Sequence, residues 1–299
     1  FSEENVVNGI EDLADLQKVL NVTTQDVVEL ELSEPLKLPV GETTFELDLK
    51  GKTIKGVDNT SKNFSIIDNR GNLTVKGNGA LVLEATINSG WNRYSAVIAN
   101  NPGGNLTVGD GVVIEHLGGT DMAYGIDNLT NGKGTSAVTT INDATIKSTY
   151  RAIRQFLNGI EATNELYVKA GAKVLGANKG LWMHDPSKNA NTGKLVVEEG
   201  AQVDDIYLSV TAGSTEWPVE VSIAESALNE GAELTYSNVP EGYCVILLDG
   251  IWTVRENTYI VNNVNEFKSA ITKKNVTIYV EEGEYDIESK VSLAEGISL

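Results

Sequence analysis

Apolar residues in this chain fall in runs of about three to five, separated by Gly, Asn and Asp, and the runs return at a steady interval. The pattern is plainest where a glycine introduces the run: Gly51 to Ile54, Gly79 to Val82, Gly111 to Ile114, Gly171 to Val174, Gly200 to Val203 and Gly231 to Leu234. Asp143 takes the glycine's place in the unit that ends at Ile146. Successive units lie 28 to 32 residues apart, a period that belongs to solenoids and repeat arrays. Each unit carries two further runs. One supplies Val75, Val108, Ile141, Val168 and Val197; the other supplies the column Ile67, Ile98, Ile126, Ile153, Trp182 and Leu208. Runs this short and this rich in Val, Ile, Leu, Thr and Tyr are strands. Three strands per unit, with no helical pattern between them, describe one turn of a parallel β-helix. The chain is therefore predicted to be all-β, with about seven three-strand rungs over residues 51–236. The Gly before each third strand fits a turn with positive φ, a region that Asp also tolerates.

Period-two alternation assigns faces to these columns. Two positions beyond the core column lie Asn69, Asn100, Asn128, Gln155, His184 and Val210, expected to face inward as a stacked amide row. The column between them, Asp68, Ala99, Asp127, Arg154, Met183 and Ser209, is expected to face outward. The column on the other side, Ile66, Val97, Gly125, Ala152, Leu181 and Tyr207, is assigned outward too. It is apolar, which calls for a partner or a covering loop.

The ends differ from the middle. Leu13, Leu16, Val19 and Leu20 have helical spacing, so a helix over residues 11–20 is expected to cap the open end of the solenoid. Strands are expected at about 26–32 and 43–49. Glu216 to Ile223 is expected to break the register, ahead of a hairpin joining 242–248 to 251–254 across Asp249 and Gly250. Val261 to Phe267 then echoes Val7 to Leu13, and a helix at about 265–273 leads to an apolar run from Val276 to Val280. Residues 1–256 thus read as one β-helix module with a capping helix. Residues 257–299 read as the start of a second, similar module or as a C-terminal cap. The first residue is Phe1, and the chain stops where a new solenoid would begin, so a longer tandem polypeptide is expected.

Composition narrows the partners. A formal charge of −19 over 299 residues argues against nucleic acid and anionic membrane surfaces. A single cysteine, Cys244, leaves no internal disulfide framework. No apolar run is long enough to span a bilayer. His116 and His184 fall on different strands without a third ligand, and no cofactor or metal is called for.

These strands, rungs and capping helix resemble the right-handed parallel β-helix (pectate-lyase-like) superfamily. The stretch 120–160 resembles surface β-helix modules of gut anaerobic bacteria and their phages. The resemblance covers about residues 20–255. It implies a right-handed, single-stranded helix, an extracellular, cell-surface or virion setting, and carbohydrate as the usual partner class; a homo-oligomer stays open. Enzymes of that superfamily need paired carboxylates, or a cation site with a basic residue. The residues available here are Asp127, Arg151, Arg154, His184 and Asp185. Ala99 and Met183 interrupt the acidic column, so the expectation is a non-catalytic structural or adhesive protein that presents or binds carbohydrate or cell-surface or virion proteins, with a polysaccharide lyase or glycoside hydrolase as the alternative. Trp91, Tyr94 and Tyr124, in two inserts, are the aromatic candidates for stacking on sugar rings.

Overall fold

The computed structural model describes residues 6–7, 9–41, 44–60, 62–86, 94–119, 122–287 and 291–299. The chain winds into a parallel β-solenoid of about seven turns. Sheet I collects the first strand of each unit, sheet II the second and sheet III the third. Equivalent positions stack from rung to rung. In sheet II, Leu73, Leu106, Thr139, Leu166 and Leu195 lie in one register column, and Val75, Val108, Ile141, Val168 and Val197 in another. Sheet III aligns Ile54, Leu81, Ile114, Ile146, Val174 and Val203. Sheet I aligns Leu36, Ile67, Ile98, Ile126, Ile153, Leu181, Ile206 and Leu234. These columns meet in one continuous buried core.

Several sequence assignments shift by a residue or two. Leu181, not Trp182, continues the isoleucine column, and Ile206, not Leu208, follows it. The amide row runs Asn69, Asn100, Asn128, Gln155 and then Met183, so His184 does not belong to it. The outward column becomes Asp68, Ala99, Asp127, Arg154, Trp182 and Tyr207. Leu181 and Trp182 are both apolar, so alternation alone leaves their faces undecided. The stack decides, because a column of Ile at strand spacing accepts Leu more easily than an indole. The supposed outer apolar strip is core: Ile66, Val97 and Ala152 are fully buried, at the corner between sheets III and I. In sheet III, Leu81 replaces Val82, because Asn78 and not Gly79 takes the positive-φ position, at 51°. Leu234 lies in sheet I. The stretch 219–224 keeps the register of sheet II.

Both ends are closed differently from the middle. Helix α1 (Leu13–Val22) starts on Asp12, whose carboxylate accepts from Asp15 N at 2.8 Å, and buries Leu13, Leu16 and Leu20 over the first rung. Its Gln17 amide donates to Asp48 O at 3.1 Å and accepts from Asp48 N at 2.7 Å. One side chain thus supplies the edge strand with the two bonds that a preceding strand would make. At the far end, Tyr243–Leu248 and Ile251–Glu256 form the expected hairpin, with Asp249 and Gly250 at φ 49° and 76°, and it pairs antiparallel with Val219–Ala224. Thr258–Val261, helix α2 (Val264–Ala270) and Thr277–Val280 follow. They repeat the strand–helix–parallel-strand order of the N-terminus around a small core of their own.

Candidate binding site

The outer face of sheet I carries the chemistry. Its strands Ala123–Lys133, Arg151–Ile160 and Lys179–Asp185 are among the longest in the chain and pair in register. Asp127 and Arg154 face each other across one rung, as the spacing implied. Arg154 donates from Nε to Asp127 Oδ1 at 2.8 Å and from Nη2 to Oδ2 at 2.6 Å, with both side chains buried. Burial works against the guanidinium charge, and Asp127 more than restores it, so the Arg154 pKa lies above its ordinary value.

Rings and guanidinium planes extend from this pair in a continuous stack. Arg154 lies 4.6 Å from the Tyr124 ring centroid and 4.2 Å from that of Phe156. Phe156 stacks on His184 at 5.6 Å, and His184 on Trp182 at 4.8 Å. Arg151 packs 4.2 Å from the Trp182 ring and 4.7 Å from that of Tyr150. Such contacts hold flat groups together through the ring quadrupole. Ser209 Oγ accepts from Trp182 Nε1 at 3.1 Å and donates to Met183 O at 3.3 Å. His184 Nδ1 lies 2.9 Å from the same hydroxyl, which ties the imidazole to the Ser209 side chain. Burial, helped by Arg154 and Arg151, pulls the His184 pKa down to about 4, so the imidazole is neutral near pH 7.

Beside the stack lies a groove of about 380 Å³, with Tyr94, Leu129, Phe156 and His184 on its walls and Asn63, Asn131 and Asn158 among its lining residues. Burial raises the Tyr94 phenol to about 12, so it too is uncharged. Asn131 and Asn158 are register partners one rung apart, both exposed, and neither side-chain amide is engaged by another described residue.

The five candidate catalytic residues do not come together. Asp127, Arg151, Arg154 and His184 share this face, but Asp185 is buried on the other side of its strand. Its carboxylate accepts from Ser187 N and Ser187 Oγ, both at 2.8 Å. Tyr124 is not a loop residue but a fully buried strand residue, because the stack covers it. Trp91 lies outside the described residues. Phe156, Asn131 and Asn158 went unread in the sequence. Phe156 lies two positions beyond Arg154, so period-two alternation from the Asp127–Arg154 pair would have placed it on the same face.

A second polar cluster lies inside. Ser95 Oγ donates to Asp58 Oδ2 at 2.6 Å and receives His116 Nε2 at 2.9 Å, with all three fully buried. Here the hydroxyl separates the carboxylate from the imidazole, which is not the order of an acyl-transfer relay. The cluster ties three strands together where sheets III and I meet. Among the described residues, no group of three or more His, Cys, Asp or Glu side chains could hold a metal ion, and no helix is long and apolar enough to cross a membrane. No protein-family model, no curated protein and no solved structure matches the chain.

Proposed function

We propose that the chain is a non-catalytic, extracellular β-solenoid, a structural or adhesive component of a bacterial surface or a virion. It offers the outer face of sheet I to carbohydrate. The observation that carries this reading is the Asp127–Arg154 pair. Both carboxylate oxygens are committed to one guanidinium in a buried site, and the second carboxylate of the candidate set, Asp185, is tied into its own turn. Hydrolysis of a glycosidic bond by the usual acid–base pair needs two carboxyl groups facing one ligand. What remains on the face is a rigid array of rings and amides, which suits binding. The net charge of −19 and the single cysteine fit a protein that works in the open medium. The repeated strand–helix–strand at residues 258–280 supports a second module in tandem, so that the rod spaces one binding face from the next.

The test is incubation of the purified chain with plant, host and bacterial polysaccharides, reading bound glycan, unsaturated products and reducing ends together. Retention without new ends is expected. New ends or unsaturated product, lost in His184→Ala, would replace this reading with a lyase or hydrolase of the pectate-lyase-like kind.

A further inference from the structure

We infer that the groove beside Phe156 takes an uncharged glycan, with neighbouring sugar units served by neighbouring rungs; this rests on reading the face as a carbohydrate-binding surface. The cations of the face are already engaged: Arg154 by Asp127, and Arg151 between the Tyr150 and Trp182 rings. Of the titratable groups on the walls, burial keeps Tyr94 and His184 neutral near pH 7, and Arg154 is only 3% exposed and paired with Asp127. The one cation lining the groove, Arg154, already has its charge balanced by Asp127, and an acidic glycan would approach a chain of charge −19. A uronate in this groove would lose its hydration without a charged partner.

A neutral sugar meets none of these costs. Its apolar C–H face suits Phe156, Leu129 and Tyr94. Its hydroxyls both donate and accept, and so do the amides of Asn131 and Asn158. The two asparagines stand one rung apart, about 4.8 Å in a parallel ladder, close to the advance of one pyranose unit along an extended oligosaccharide. A ligand with the same group repeated along its length can therefore use the same amide twice.

The experiment titrates the full chain with neutral hexasaccharides (cellohexaose, mannohexaose, xylohexaose) and acidic ones (hexagalacturonate, hexamannuronate). The same titrations are run on the double variant Asn131→Ala, Asn158→Ala. Both positions are exposed and without protein partners, so its thermal midpoint should match the wild type. At least one neutral hexasaccharide is expected to bind, and the double variant to bind it about tenfold more weakly, as the loss of two hydrogen bonds implies. Acidic hexasaccharides are expected to bind at least about tenfold more weakly than that neutral ligand. Acidic ligands bound as well as or better than neutral ones would overturn the inference and leave the carbohydrate reading standing. Neutral binding unchanged in the double variant would remove the groove as the subsite. No glycan bound at all would overturn both.

Discussion

At the scale of single residues, the face is organised by what each charge touches. Arg154 has a carboxylate in its plane and a ring near each of two sides, so its charge is spent on holding the stack. Replacing one partner of such a buried pair typically costs about 3–5 kcal/mol, which is a structural role in itself. His184 gives a sharper reading because it can be titrated. Its pKa is about 4 in the fold, against about 6.5 in an unfolded chain. The unfolded state therefore takes up a proton that the fold refuses, and stability is lost as pH falls from about 6.5 towards 4. The loss should amount to ~2 kcal/mol, allowing for the part of the ring in water. Asp185 works the other way, since burial raises its pKa. Comparison with His184→Phe, which keeps a ring in the stack, isolates the histidine. The wild-type midpoint in urea should fall over this pH range, and the variant's should fall less. Parallel curves would show that the ring is not held neutral. The Asp127–Arg154 contact was legible in the sequence because a spacing of one rung places them side by side. The role of Trp182 was not, because Leu181 and Trp182 compete for one apolar slot and only stacking against Ile153 separates them.

At the scale of elements, the rungs are set by repetition, and the ends by single side chains. Columns of Ile, Val and Leu could be read from the period because every turn repeats the same demand. Turn positions could be read as well, where Gly51, Gly111, Gly171 and Gly200 all have positive φ and Asp143 follows at 42°. The amide row is half legible. Asn69 donates to Asn100 at 2.7 Å and Asn100 to Asn128 at 2.9 Å, but Asn128 then turns to Asn164 at 2.6 Å. Gln155 reaches past the row to the carbonyls of Asn164 and Lys194, and Met183 ends it. Helix α1 was legible from its leucines; Gln17 was not, because one polar residue on a half-buried helix face carries no periodic signal. Its two bonds to Asp48 close the first edge of sheet II. Gln17→Ala should lower stability by about 1–3 kcal/mol, the cost of two backbone groups left without their partner. A shift of the denaturant midpoint with an unchanged slope is the expected sign. No shift would mean that water replaces the amide without loss.

At the scale of the whole molecule, a solenoid makes a site by extending a surface, not by enclosing a cavity. Each rung adds one residue to every column, so a feature in two or three adjacent rungs becomes a linear platform. The stack from Tyr124 to Tyr150 and the asparagine pair beside it are built this way. Nearest-rung contacts dominate such a fold, so the platform is rigid where the columns are best matched. The acidic surface and cross-rung ion pairs such as Lys147–Glu115 and Lys169–Glu198 add little to this, since exposed pairs contribute only ~0–1 kcal/mol each. The architecture was therefore open to reading from the period, while the location of the groove needed the register, and the register needed the stack. The most direct measurement is hydroxyl-radical footprinting of the full chain, with and without the neutral hexasaccharide that binds it most tightly. Protection of Tyr94, Phe156 and His184 is expected, with Tyr236 and Tyr243 at the far end unchanged. Protection confined to other residues, or no neutral hexasaccharide bound, would contradict it.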